Sequence, residues 1–313
     1  MALEIKKALV TGGAGFIGSH LVDRLVRTGC AVTVMDDLSS GSVANLAAVM
    51  DRIDFIEGDI QDDALLDKCL PGCDTVFHEA AVVSVTRTVQ EPVSSARIND
   101  LGTIQVLDTA RRHGVRRVVM ASSSAVYGDA PQLPKTESMT PAPMSPYAVQ
   151  KLTNEYYADL YFKLYGLETV CLRYFNVYGP RQDPSSPYSG VISIFMTRAR
   201  DGQAPVIYGD GGQTRDFVFV EDVVQANMLA ATHPDAPGRV FNVGTSQSVA
   251  ISALWHSIAA LAGVSADPRH EAPRPGDIRH SLSSIQRARD ALGFQPVVRF
   301  EEGLRRTFDW CRR

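Results

Sequence analysis

The chain has 313 residues, 45% hydrophobic and 21% charged, with a formal net charge of -4. That composition supplies a large globular core and argues against nucleic acid as a partner. No apolar run approaches the ~20 residues that span a bilayer, so no membrane partner is expected. The five scattered cysteines fit a reduced, cytoplasmic protein better than a disulfide framework or a zinc site.

Short apolar runs alternate with helical patterns through the first half. Lys7 to Thr11 reads as a strand and Gly15 to Thr28 as a helix, with no signal peptide expected ahead of them. Strands follow at Ala31 to Met35 and Ile53 to Glu57, then a helix near Asp62 to Leu70. Asp74 to His78 is a strand, Pro92 to His113 a long helix, Arg117 to Ala121 a strand. A second long helix runs from Pro146 to Tyr165, stopped by Gly166, before a strand at Thr169 to Arg173. Alternation of this kind predicts a doubly wound parallel α/β sheet, and the continuous apolar strands fit burial on both faces. Gly and Pro cluster at 179–190, 205–213 and 273–276, which breaks the regularity. A helix at Val220 to Thr232 and a strand at Val240 to Val243 are expected to return to the sheet. The division expected is therefore 1–175, with 217–244 rejoining it, and 176–313 as a smaller C-terminal lobe. The loop from Asp129 to Ser145 carries four prolines, and a loop of that length reads as a lid or site wall.

Thr11-Gly12-Gly13-Ala14-Gly15-Phe16-Ile17-Gly18 follows the first strand and opens the first helix. Gly12, Gly15 and Gly18 permit a tight turn and close approach of backbone to a pyrophosphate at the helix N-terminus. Asp36 ends the second strand eighteen residues after Gly18, placed for a ribose diol. Asp37 beside it would repel a 2′-phosphate, so the cofactor expected is NAD rather than NADP.

Ser122-Ser123-Ser124 follow the fifth strand, beyond whose carboxyl end ligands bind in a parallel sheet. Tyr147 and Lys151 lie one helical turn apart on one face. A lysine ammonium favours a phenolate, so their spacing predicts a lowered Tyr147 pKa and a base for a hydroxyl. A serine would orient that hydroxyl while NAD takes a hydride.

These residues make the chain resemble the extended short-chain dehydrogenase/reductases, and within them the nucleotide-sugar 4-epimerases. Matching stretches are Thr11–Gly18, Asp36–Gly41, Gly58–Ile60, His78–Ala81, Ser122–Gly128, Tyr147–Lys151, Arg173–Arg181, Gly209–Asp216 and Arg274–Asp277. The resemblance implies a Rossmann domain followed by a nucleotide-sugar-binding lobe. It extends the cofactor contacts to Phe16, Ile17, Leu38, Ser39, Ser40 and Gly41, to Asp59 and Ile60 at the adenine, and to Ala80, Ala81, Asn99, Ser122 and Tyr174. It implies that Ser84, Ser124, Asn176, Val191, Val206 and Tyr208 meet the substrate, that Arg215 and Arg274 clamp its diphosphate, and that Asp277 takes the uridine ribose. The catalytic serine is Ser123 counting back from Tyr127-Gly128 and Ser124 counting forward from the strand, with Ser123 preferred. Family members pair their two long helices into a homodimer.

Related dehydratases and decarboxylases carry an acidic residue where this chain has Ala125, so elimination has no evident base and epimerisation at sugar carbon 4 is expected. Ser281 falls where a bulky residue would exclude a 2-N-acetyl group. UDP-N-acetylglucosamine/UDP-N-acetylgalactosamine is therefore the favoured pair, with UDP-glucose/UDP-galactose also accepted. A UDP-glucuronate 4-epimerase, using Arg87 or Arg181 at carbon 6, is the nearest alternative. A non-catalytic NAD-binding module is the other.

Overall fold

The computed structural model describes residues 3–183, 190–273 and 278–312. Its first half runs β1 (Lys7–Thr11), α1 (Phe16–Arg27), β2 (Ala31–Asp36), β3 (Ile53–Glu57), α2 (Asp63–Cys69), β4 (Thr75–His78), α3 (Val85–Gln90), α4 (Pro92–Ala96), a π-helical turn (Arg97–Gly102), α5 (Thr103–Arg112), β5 (Arg117–Ser123), α6 (Pro146–Tyr165) and β6 (Glu168–Tyr174). The second half continues with β7 (Asn176–Tyr178), α7 (Val191–Arg200), β8 (Val206–Tyr208), β9 (Thr214–Arg215), β10 (Phe217–Phe219), α8 (Val220–Thr232), β11 (Arg239–Val243), β12 (Val249–Ala250), α9 (Ile251–Ala262), β13 (Arg269–Glu271), α10 (Gln286–Leu292) and α11 (Phe300–Cys311).

Seven strands form one parallel sheet in the order β11-β6-β5-β4-β1-β2-β3, the doubly wound arrangement expected. Neighbours along a strand serve opposite cores. Ala8, Val10, Val34, Phe77 and Val119 pack with α1 and α8, whereas Leu9, Met35, Val76, Val118 and Met120 pack with α2, α5 and α6. Both faces are thus covered, which explains why the strand sequences do not alternate. The strand order reverses between β1 and β4, so a crevice opens beyond their carboxyl ends, where open α/β sheets bind ligands. A third core, around Tyr178, Phe195, Phe219 and Trp255, holds the C-terminal elements together.

The helix expected from Pro92 to His113 differs in form. It is preceded by α3, capped by the Ser84 hydroxyl accepting from the Arg87 N–H, and it widens into the π turn. Gly102 lies there against Ile60, whose Cδ1 would be 2.7 Å from an added Cβ. The wide turn carries Asn99 into the loop after β4. Its Oδ1 accepts from the Val82 N–H at 2.7 Å, and its Nδ2 donates to the Val82 carbonyl and to Gln150 Oε1.

The proline loop is stitched to the far end of the chain. The Lys135 N–H donates to the Leu282 carbonyl at 2.8 Å, and the Ser284 N–H donates to the Lys135 carbonyl at 2.9 Å. Asn242, fully buried at the end of β11, accepts from the Tyr127 hydroxyl and donates to the carbonyls of Lys135 and Ser284.

Candidate active site

The loop from Gly12 to Gly15 turns tightly at the switch point, with the Gly15 N–H donating to the Gly12 carbonyl at 3.1 Å. Gly12 has φ +68, and an added Cβ would sit 2.6 Å from the Ala80 nitrogen. Gly18 lies against the same turn, where a Cβ would be 2.2 Å from the Gly12 carbonyl oxygen. Helix α1 opens on Gly15 with no side-chain cap, so its first N–H groups and the positive end of its dipole suit a pyrophosphate. Phe16 and Ile17 head the helix and pack into the neighbouring cores.

Asp36 is buried and joins this turn to the next loop, accepting from the Ala14 and Leu38 N–H groups, each at 2.9 Å. Burial pushes its carboxyl up, while those two N–H groups pull the other way. Leu38 has φ +56, and Gly41 abuts the Asp36 carboxylate, whose Oδ1 would be 2.8 Å from an added Cβ. Asp37 is exposed and accepts from the Ser39 N–H and hydroxyl, and Ser40 is exposed beside it. Asp59 accepts twice from Gln61, and Ile60 is buried. Ala80 lies across the turn from Gly12, and Ala81 follows it in the loop that Asn99 holds. Both donors of Asn99 are used within the protein, so its part is to fix that loop rather than to reach out with a free amide N–H.

The three serines divide their work. The Ser122 hydroxyl donates to Glu155 Oε1 at 2.5 Å, in a buried network with Arg173, so this side chain is engaged within the protein and a cofactor contact here would fall to the backbone. Ser124 begins a short 3₁₀ turn to Tyr127. Ser123 ends β5, caps that turn through the Ala125 N–H, and has its hydroxyl close enough to the Tyr147 phenol to favour its ionised form.

Tyr147 enters from the first turn of α6, where Pro146 occupies N1 and the Ser145 hydroxyl accepts from the Ala148 N–H. One turn on, Lys151 is buried, with its Nζ donating to the Ala121 carbonyl at 2.8 Å and lying 6.0 Å from the centre of the Tyr147 ring. The phenol is not acidified as the spacing predicts. Burial pushes its pKa up, and the neighbouring Ser123 hydroxyl only partly opposes this. Burial also pushes Lys151 down to about 8, against the pull of Glu79.

Across the crevice Tyr174 donates to Glu79 Oε1 at 2.7 Å and accepts from Asn227 Nδ2 at 2.7 Å. Burial pushes Glu79 up to about 7. His78 is buried and pushed down to about 3, bridging the hydroxyls of Thr11 and Thr103 as a neutral ring. Glu79 and Asn227 were missed by sequence reasoning. Glu79, at the carboxyl end of a strand, was visible in His78–Ala81, whereas Asn227 lies mid-helix with no signal.

Beyond Tyr174, a cavity of about 310 Å³ is lined by Asn176, Val177, Tyr178, Gln182, Gly190, Val191, Ile192, Arg215 and Phe217. It gathers three of the expected substrate residues, Asn176, Val191 and Arg215, and adds Gln182, which accepts from the Ser193 hydroxyl at 2.6 Å. Val206 and Tyr208 lie on β8, outside that lining. Gln213 Nε2 donates to the Tyr208 carbonyl, and the Ser281 N–H donates to the Thr214 carbonyl, which places Ser281 beside Arg215. The hydroxyl of Ser84 serves as the α3 cap. Arg274 and Asp277 lie outside the described residues.

An uncapped helix end, a glycine cradle that side chains would fill, and a buried aspartate at the switch point define a dinucleotide-binding enzyme. The model of the NAD dependent epimerase/dehydratase family matches residues 8–244, and the chain belongs to that family, with NAD as its cofactor. It is 43% identical over 312 residues to the UDP-glucose 4-epimerase of Mycolicibacterium smegmatis, covering 98% of each chain. It superposes with a TM-score of 0.94 on the UDP-N-acetylglucosamine 4-epimerase of Methanobrevibacter ruminantium in complex with UDP-N-acetylmuramic acid, at 41% identity and 99% coverage of both. A dTDP-glucose 4,6-dehydratase of Streptomyces niveus is 37% identical over 317 residues, covering 98% of this chain and 93% of that one. The protein is therefore an enzyme of this family, similar to UDP-sugar 4-epimerases. Among the described residues no helix is long and apolar enough to cross a membrane.

Proposed function

We propose that the protein is a UDP-sugar 4-epimerase acting on UDP-N-acetylglucosamine/UDP-N-acetylgalactosamine and on UDP-glucose/UDP-galactose, through a transient 4-keto sugar. The observation that carries this reading is that the Ser123 hydroxyl and Lys151 are both set close to the Tyr147 phenol, beside a turn that presents Ala125 where an elimination would need a carboxylate. The cradle at Gly12–Gly18, Asp36 and the Ala80–Ala81 loop would hold NAD, which when bound supplies reversible hydride acceptance. Ser123 orients the 4-hydroxyl. Tyr147 takes its proton and later returns it. Lys151 supplies the cation that favours the phenolate. Residues 1–175 with 217–244 bind the cofactor in this reading, and 176–313 hold the nucleotide sugar. Arg215 beside the cavity suits a diphosphate.

The UDP-glucuronate alternative is weakened by the placement of its candidate cations. Arg181 is bonded to Asp23 of α1 at 2.8 Å, and Arg87 is paired with Glu91. Ser281 is small and stands beside Arg215, which leaves room for an acetamido group. We further infer a homodimer through α4–α6, where Val93, Leu101, Val149, Tyr156, Leu160 and Leu164 expose an apolar face. Five free cysteines fit a cytoplasmic location.

The test is proton NMR of the anomeric signals after incubation with UDP-N-acetylglucosamine and UDP-glucose separately. The 4-epimer of each should appear without net formation of NADH. A 4-keto-6-deoxy sugar accumulating in its place would refute epimerisation.

A further inference from the structure

The Glu79–Tyr174 hydrogen bond crosses the end of the strand that carries Ser123. Glu79 follows β4, Tyr174 ends β6, and β5 lies between them. With neighbouring strands about 4.8 Å apart, the two side chains close a span of roughly 10 Å over the carboxyl end of β5. Ser123 is the register partner of Tyr174 there. Because Asn227 donates to the Tyr174 oxygen, the single phenolic proton goes to Glu79. The carboxyl group is thus fixed by a chain that begins on α8, on the opposite face of the sheet from Tyr147 and Lys151. A glutamine could accept the same bond. What a glutamate adds is charge, in a half-buried place where charge is costly.

We propose that Glu79 is a positioning residue that acts through its charge on the Tyr147–Lys151 pair from across the strand end. The inference rests on the reading of that pair as the acid–base machinery. The charged and titratable groups around it are few. From α6 come Tyr147 and Lys151, and from β6 come Tyr174 and Cys171, the last pushed up by burial. The π turn contributes Asp100, within reach of Lys151. His78 of β4 is kept neutral by burial and by the nearby Lys151, and α8 contributes the Asn227 amide. Glu79 is therefore the acidic group, among the described residues, that a hydrogen bond fixes across the strand end beside the pair. Its anion holds the proton more tightly on both Tyr147 and Lys151. It keeps Lys151 cationic and makes the Tyr147 phenolate a stronger base, at the expense of a smaller phenolate fraction and a weaker phenol acid.

The test compares wild type with Glu79→Gln and Tyr174→Phe, each carrying NAD. The first removes the charge and keeps an acceptor. The second keeps the carboxyl group but removes the bond that favours its ionised form, so both variants should act in the same direction. The chain has six lysines, few enough for carbon-13 NMR at labelled lysine ε-carbons, with Lys151→Arg assigning the signal. The Lys151 titration midpoint should fall by on the order of one pH unit in Glu79→Gln and by less in Tyr174→Phe. Both limbs of the kcat–pH profile should move with it. A merely structural role would lower kcat or stability and leave the midpoints in place, and that result in both variants overturns the proposal. The NMR midpoint does not depend on turnover. Full activity of Tyr147→Phe would remove the acid–base reading itself, whichever way the lysine titrates.

Discussion

Gly12 and Gly166 offer a controlled comparison, because their backbones are nearly the same and their surroundings are not. Gly12 has φ +68 and Gly166, the cap of α6, has φ +70. Replacing either with alanine forces an L-residue into the left-handed region, at a cost of about 1–2 kcal/mol. At Gly166 nothing lies within 4 Å of the added carbon, so the strain is the whole effect. At Gly12 the carbon would sit 2.6 Å from the Ala80 nitrogen, 2.8 Å from its Cα and 2.9 Å from the Glu79 carbonyl carbon. These are backbone atoms with no rotamer to give, and overpacking of that kind adds ~1–3 kcal/mol. Gly12→Ala should therefore lose ~2–5 kcal/mol in equilibrium denaturation against ~1–2 kcal/mol for Gly166→Ala. Because the strain at Gly12 separates the two walls of the crevice, NAD retained through purification should also fall, by at least about tenfold for each 1.4 kcal/mol of lost affinity. Gly166→Ala should keep its NAD. Equal destabilisation of the two variants, with equal NAD content, would refute the claim that close approach of β1 and β4 loops is what demands glycine at position 12.

Ser281→Tyr should abolish turnover of the acetamido sugars while sparing UDP-galactose, and equal loss of both in parallel assays would remove Ser281 as a gate. Lys151 sheds its proton as pH rises through about 8, which withdraws the cation that favours the Tyr147 phenolate. Turnover should therefore fall on the alkaline side, and Lys151→Met should lack that limb in a kcat–pH series. Glu155 and Arg173 are 5% and 4% exposed and bonded twice. Glu155→Leu strands the guanidinium and should cost ~3–5 kcal/mol in denaturant unfolding. Leu160→Glu should convert a dimer to a monomer in light scattering, and an unchanged mass would exclude that face as the interface.

The first half of the fold was legible because each strand is a buried apolar run and each crossover helix is long enough to show its period. The second half was not, because β9 and β12 have two residues each and pair across thirty-odd positions, so no local pattern announces them. At the site, the cradle and the Tyr147–Lys151 spacing could be read directly. The division of Ser122 from Ser123 could be read only once the strand's end was known, since neighbours in a strand face opposite sides. The bonds that Asn99 makes to Val82 and Gln150 could not be read from the sequence. A π turn inserts a residue into the helical period and redirects the side chains around it, which spacing rules for an α-helix do not foresee. The expected acidification of Tyr147 failed for a related reason. Spacing shows that a cation is near but not how much water the fold removes from the phenol.

Helix α1 starts with no side chain to satisfy its leading amides, so a bound dinucleotide would complete the helix end as well as occupy the site. A ligand that binds only the folded state adds stability that grows with its concentration, about 4 kcal/mol at a thousandfold excess over its Kd. A serine or aspartate at position 15 would compete with the dinucleotide for those N–H groups. With glycine there, loading with NAD should raise the chain's resistance to proteolysis, which a limited digest with and without NAD would check.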